Sequence, residues 1–178
     1  CEKFDIVKSI IRNKLGQSLR IGARKCEVSM IDRTIGRSFI KENHLMGGGG
    51  GLYFGLTYND ELVSLLVLKK NNSEERAYEI SRFCHKLNTN VVGGFSKLLK
   101  YAESTLNPNF ISTFIDLRYG CGNYLQDFGF EFINTYPSFR WIKSNQSWHR
   151  MKFPGDTGYD VGCYKMWDCG QAKFIKRY

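Results

Sequence analysis

The sequence has little proline (three residues) and little histidine (three), and its 17 acidic residues fall well short of its 26 lysines and arginines. A charged fraction of only 24% beside 42% hydrophobic residues excludes a disordered chain, which could not bury enough apolar surface to fold. No apolar run approaches the ~20 residues of a membrane helix, the longest being Leu62–Leu68, so a spanning segment is excluded. The six cysteines contain no C-x-x-C pair, which excludes a zinc ribbon and points to free thiols in a reducing cytosol. No metal site is expected. The best alternative set, Cys84, His85, Cys163 and Cys169, fails because neighbours 84 and 85 point to opposite faces of a strand. A charged, apolar and small-residue leader is also missing after Cys1, so the chain is expected to continue a longer polypeptide. What the sequence does have is positive charge, formally +9, and aromatic rings at 15%. A chain of this length buries roughly two thirds of its unfolded surface, enough for one self-sufficient domain.

Apolar spacing predicts an amphipathic helix over Phe4–Leu15, β structure over Arg20–Met30, and a second helix over Asp32–His44 with Asp32 as N-cap. Gly47–Gly51 reads as a mobile loop, or a linker in place of something longer. Leu52–Tyr58 and Leu62–Lys70 flank Asn59-Asp60-Glu61 as a tight hairpin, and Tyr78–Cys84 is a further strand. Gly93-Gly94 introduces a helix over Phe95–Leu106, stopped before Pro108. Strands are expected at Phe110–Leu117, Phe130–Tyr136 and Phe139–Lys143, with a short helix Asn123–Phe128 closed by Gly129. The segment Ser144–Val161 reads as loop, and Tyr164–Lys176 ends in a strand. Antiparallel strands with inserted helices indicate an α+β domain.

That order, with Gly93-Gly94-Phe95-Ser96-Lys97-Leu98-Leu99 and Asp127-Phe128-Gly129-Phe130, resembles the GNAT acyltransferase fold over roughly Ala23–Ile142. The resemblance implies a mainly antiparallel mixed sheet flanked by helices. It also implies an acyl-coenzyme A cofactor, acetyl-CoA or another, whose pyrophosphate rests on Gly93, Gly94 and Ser96 at a helix start. Phe95 stands where the fold has a small residue, and a ring there is expected to crowd the anion. Leu125 stands where the fold often has a tyrosine that protonates the thiolate, with Tyr124 one position earlier.

A closer resemblance is to phage-encoded homing-endonuclease-like proteins in which a very-short-patch-repair-type nuclease precedes a GNAT-like region. It is carried by Ala23-Arg-Lys-Cys26, Asn43-His-Leu-Met-Gly47, Ser81-Arg-Phe-Cys84, Leu87-Asn-Thr-Asn-Val-Val-Gly-Gly94, Asp116-Leu-Arg-Tyr119 and Met166-Trp-Asp-Cys-Gly170. More distantly, His44 with Gly47, the hairpin, Ser81-Arg82 and Phe114–Asp116 are similar to Mom-type phage DNA-modification proteins. These resemblances imply residues 1–19 as a lead-in from an upstream nuclease-like domain, 20–178 as the GNAT-like domain, and the cytoplasm of an infected host as location. They imply DNA as partner and DNA binding as the work, with acyl transfer to a nucleobase amine as the alternative.

Three candidate sites follow. His44, Asp116 and Tyr124 are the catalytic candidates: an imidazole titrates near neutral pH, and a carboxylate at a strand end can orient a base. Against these stand a histidine satisfying helix carbonyls and an Asp116–Arg118 ion pair. Gly93, Gly94 and Ser96 are the cofactor candidates. Arg82, Arg118, Tyr119, Arg140, Trp141 and Lys143 are the nucleic-acid candidates, cations for phosphates and rings for bases. Arg82 is expected to share a strand face with Ile80 and Cys84 and to need Asp116 or Glu79 as partner.

Overall fold

The computed structural model describes residues 3–178, which gather into two compact units: residues 3–111 with Tyr178, and residues 112–177. The cysteine at position 1 lies outside the described residues.

The first unit opens with helix α1 (Phe4–Lys14), which buries Ile6 and is tied to Asn88 by Ser9 Oγ (2.7 Å) and Arg12 (3.3 Å). The β-like stretch after it is two strands, β1 (Leu19–Gly22) and β2 (Glu27–Ile31), parted by a single 3-10 turn. Helix α2 (Arg33–Asn43) starts as expected, with Asp32 accepting from the Thr34 N–H at 2.7 Å. Strands β3 (Leu52–Tyr58) and β4 (Glu61–Asn71) form the hairpin, and Asn59 and Asp60 both take positive φ, as a two-residue primed turn requires. Strand β5 (Ala77–His85) completes an antiparallel sheet in the order β2-β3-β4-β5. The short strand β6 (Thr89–Val92), unseen in the sequence pattern, pairs in parallel with β1 and runs into helix α3 (Gly94–Leu106).

The apolar run on β4 is explained by burial on both faces, since Val63 through Leu68 are all inaccessible. On one face Phe39 and Ile40 of α2 pack on Tyr53, Leu65 and Val67, and Gly36 lets the helix close down: a Cβ there would lie 2.5 Å from the Tyr53 ring. On the other face α3 buries Leu98, Leu99 and Ala102, with Tyr101 meeting Phe54 edge to face at 6.0 Å. Each leucine buried this way contributes about 1.5–3 kcal/mol.

The register of β5 decides which side chain goes where. Ser64 faces His85, Leu65 faces Cys84, Leu66 faces Phe83 and Val67 faces Arg82, but Leu68 faces Ile80, so Ser81 is an extra, bulged residue. Arg82 and Cys84 therefore lie on the α2 face, and Phe83 and His85 on the α3 face. The expectation that Arg82 shares a face with Ile80 is corrected: the bulge moves Ile80 to the opposite side.

The second unit begins within β7 (Phe110–Asp116), at Ser112, and holds β8 (Glu131–Tyr136) and β12 (Gln171–Arg177), with β12 antiparallel to β8, and a 3-10 helix Asn123–Phe128 capped by Gly129. It also holds a three-stranded antiparallel sheet of β9 (Phe139–Lys143), β10 (Gln146–His149) and β11 (Tyr164–Trp167). The segment read as loop thus contains β10, and the final strand is two. Among the described residues no helix is long and apolar enough to cross a membrane.

Candidate functional site

Strand β6 delivers the chain to Gly93, which is left-handed (φ +77°) and has no side-chain cap to offer α3. Lys97 N–H donates to the Gly93 carbonyl at 3.1 Å to start the helix, and Ser96 Oγ donates to the same carbonyl at 2.9 Å. The first turn of any helix presents N–H groups that the helix cannot satisfy itself, and those here carry the positive end of a 13-residue dipole. A Cβ on Gly94 would stand 3.2 Å from Val91 and 3.3 Å from His85, closer than most contacts. A side chain there would press Val91 and His85 aside by a few tenths of an ångström, so glycine keeps the backbone open at the turn, as a pyrophosphate cradle needs. The Phe95 ring is held by Phe83, edge to face at 5.2 Å. Lys97 Nζ, which might have been a free cation at this turn, donates to the Ala23 and Cys26 carbonyls and pins α3 to the turn before β2.

Beside Gly94 lies a buried relay that the sequence reading missed. His85 Nδ1 is 2.9 Å from Ser64 Oγ, which donates to the Cys84 carbonyl at 3.4 Å. Counting donors along this chain puts the imidazole proton on Nδ1 and leaves a lone pair on Nε2. Burial lowers the His85 pKa to about 4, so the ring is neutral at pH 7. Burial also pushes the Cys84 thiol up to about 12, which keeps it from acting as a nucleophile.

His44 is the C-cap of α2 and donates its N–H to the Ile40 carbonyl at 2.9 Å. Its pKa is lowered to about 4, by burial first and then by Arg82 and Lys3. The ring is neutral, as a base must be, but Nδ1 accepts from the Met46 N–H at 3.1 Å. The proton therefore sits on Nε2, and the edge His44 presents is a donor. Arg82 is half-buried, with Nε donating to the Gly47 carbonyl at 3.2 Å and Nη1 to the Ser81 carbonyl. Neither Glu79 nor Asp116 pairs with it, which corrects the expected ion pair. Residues 47–51 are not loose: Gly47 N–H donates to the His44 carbonyl at 2.9 Å, Tyr53 donates to the Gly49 carbonyl, and Lys3 to the Leu45 carbonyl.

In the second unit Asp116 holds Arg118 through both carboxylate oxygens, at 2.9 and 3.1 Å from Nε. The Arg118 hydrogen bonds pull the Asp116 pKa below the ordinary carboxylate range. Tyr119 is exposed, with the Arg118 guanidinium 5.7 Å from its ring centre. Tyr124 is half exposed and desolvation raises its phenol, whereas Leu125 is buried, so the matching position of the fold's tyrosine is core. Arg140 and Lys143 are exposed, Lys143 Nζ donating to the Val161 carbonyl at 2.6 Å. Trp141 is fully buried, ringed by Phe139, Phe153 and Tyr159, with Nε1 donating to the Arg150 carbonyl at 3.2 Å. Its expected contact with a base is corrected to a packing role, since no face of the indole is accessible.

The structure thus brings Gly93, Gly94 and Ser96 together with Ser64, Phe83 and His85, and separately joins His44 to Arg82. Asp116, Arg118 and Tyr119 form a third group, in the other unit. Nothing in the sequence pattern signals the Ser64–His85 pair, which depends on cross-strand register.

No protein-family model matches the chain, and no curated protein matches it. Solved structures do. The ribosomal-protein-S18-alanine N-acetyltransferase from Escherichia coli matches with a TM-score of 0.56 at 11% identity, covering 85% of this chain and 93% of that one. The IAA acetyltransferase from Bacillus cereus matches with 0.54 at 13% identity, covering 86% and 99%. A GNAT family acetyltransferase from Elizabethkingia anophelis, with acetyl-CoA bound, matches with 0.54 at 12% identity, covering 86% and 99%. Nothing in these similarities speaks for DNA binding, a homing endonuclease or a Mom-type protein. The chain has the α+β GNAT acetyltransferase fold, a mixed sheet with flanking helices.

Proposed function

We propose that the chain is an acyl-coenzyme A-dependent N-acyltransferase acting on an amine, and that the turn at Gly93-Gly94 receives the coenzyme's pyrophosphate. The observation that carries this reading is the left-handed start of α3, without a side-chain cap and with Gly94 packed closely on Val91 and His85. Acetyl-CoA bound in a structure of the same fold supports it. When bound, the coenzyme supplies an acyl group activated as a thioester. The chain's own share begins with binding: backbone N–H groups at the start of α3 take the negative charge. Ser64 sets the His85 ring against Gly94 and so acts as a positioning residue for the turn. The edge-to-face contact of Phe95 with Phe83 supports a ring held against the β5 side chain.

Titration calorimetry with coenzyme A tests the reading. The full chain binds, and Gly94→Val, whose side chain collides with Val91 and His85, weakens binding at least roughly tenfold while the far-ultraviolet spectrum stays unchanged. Equal affinity in the two proteins, or no binding to either, overturns it. A salt-sensitive response to duplex DNA alone returns the chain to the nucleic-acid reading.

A further inference from the structure

Three cationic or donor side chains meet at the end of α2, and none has a carboxylate partner among the described residues. Arg82 spends Nε and one Nη1 proton on the main-chain carbonyls of Gly47 and Ser81. Those carbonyls fix the plane of the guanidinium but leave its charge uncompensated, and three of its five N–H donors remain. Lys3 Nζ is likewise held by a carbonyl, that of Leu45. His44 turns an N–H outward because its Nδ1 is engaged by Met46. Half-buried cations are ordinarily paired, because desolvating a lone charge is costly. Here no carboxylate among the described residues pairs with them.

Two glycines bring the cations close to the backbone. A Cβ on Gly47 would lie 3.2 Å from Lys3 Nζ, and one on Gly49 would lie 3.3 Å from Arg82 Cγ. The main chain at Gly49 thus packs against the stem of the Arg82 side chain. This cluster also lies on the α2 face of the sheet, because Arg82 is opposite Val67, whereas Gly94 touches His85 on the α3 face. An anion held by Arg82 is therefore not the one held at the start of α3.

We propose that Arg82, His44 and Lys3 form a receptor for a compact oxyanion, a carboxylate or phosphate, carried by the amine that is acylated. The assignment to the acceptor rests on the acyltransferase reading; the binding of an oxyanion does not. A carboxylate would meet the guanidinium edge in a bidentate pair, with the His44 Nε2–H as a third donor.

Nitrogen-resolved magnetic resonance of the full chain, titrated separately with acetate and inorganic phosphate, reads the Arg82 side-chain and His44 ring signals directly. Saturable shifts at both residues with either anion are expected, weakened at least roughly tenfold in Arg82→Gln and unchanged in Lys86→Gln, an exposed lysine paired with Glu61. Arg82→Lys, which keeps the charge but loses the fork, retains part of the affinity. Coenzyme A affinity is measured on the same samples. Failure of coenzyme binding with the shifts intact sinks the transferase reading and leaves the receptor. Absent shifts with coenzyme binding intact sink the receptor. Shifts produced by duplex DNA but by neither small anion sink it also. If coenzyme A displaces phosphate from Arg82 and Arg82→Gln loses coenzyme affinity, the site serves the cofactor and the assignment to the acceptor is wrong. Should Arg82→Gln fail to fold, the wild-type titrations and Arg82→Lys still decide.

Discussion

The two units differ in how several of their cations are held. In the second, Arg118 is clamped by Asp116, and Lys165 is folded beneath four rings, Phe139, Trp141, Tyr159 and Trp167, at 4.9 to 5.9 Å, with Asp156 on its ammonium. In the first, Arg82, Lys97 and Lys3 bond to main-chain carbonyls, and among the described residues the exposed Lys86–Glu61 contact is the one ion pair. A cation matched by carboxylate and rings serves the fold. One oriented by carbonyls meets no opposing charge in that contact, whether it braces the fold as Lys97 does or stands ready for an anion as proposed for Arg82. The formal excess of +9 therefore includes cations, Arg118 and Lys165, whose charge is answered by carboxylates inside the second unit.

The comparison can be broken most forcefully at Trp141. Trp141→Ala removes a fully buried indole from the centre of the three-stranded sheet and should cost about 3–5 kcal/mol in chemical unfolding. A loss below about 1 kcal/mol would mean that the ring is replaceable and the aromatic box decorative.

Acid sharpens the contrast from the other side. His44 and His85, both in the first unit, are held near a pKa of about 4 against an ordinary 6.5. The folded state binds fewer protons there than the unfolded state, so their contribution to stability is complete above pH 6.5 and is lost as the pH falls towards about 4. Urea unfolding followed across that window should show the decline, and His44→Gln with His85→Gln should flatten it. An undiminished slope in the double variant would refute the assignment.

Lys165→Met keeps the length of the side chain and removes the charge, and should cost about 1–2 kcal/mol, whereas Arg82→Gln should cost less than about 1 kcal/mol. Equal losses in thermal or urea unfolding would erase the distinction between a structural and a ligand-directed cation. The smallest effect belongs to Asp116→Asn: the partner Arg118 is half exposed, so the change in unfolding free energy should stay within about 1 kcal/mol.

Much of the first unit can be read along the chain. Asp32 announces α2, Asn59-Asp60 the hairpin, and the spacing of Leu98, Leu99 and Ala102 the buried face of α3, because each is a local preference of two to four residues. Strand β10 is hidden because Gln146–His149 is polar and is a strand only through its pairing with β9. The break between β11 and β12 comes from Gly170 at φ +78° with its N–H given to Asp168 at 2.8 Å, a turn inside what reads as one strand. The glycine run looked featureless because carbonyls, which every residue has, are what Arg82 and Tyr53 use to hold it, at Gly47 and Gly49.

The sequence by itself determined the α+β class, the helix starts and the Gly93-Gly94 turn, since these depend on backbone preference and apolar spacing within a few residues. Only the tertiary structure decided that a bulge at Ser81 sends Arg82 to α2 and His85 to α3. It alone paired Ser64 with His85 and so placed the His85 proton, because hydrogen-bond partners 20 or more residues apart are set by strand register and not by spacing.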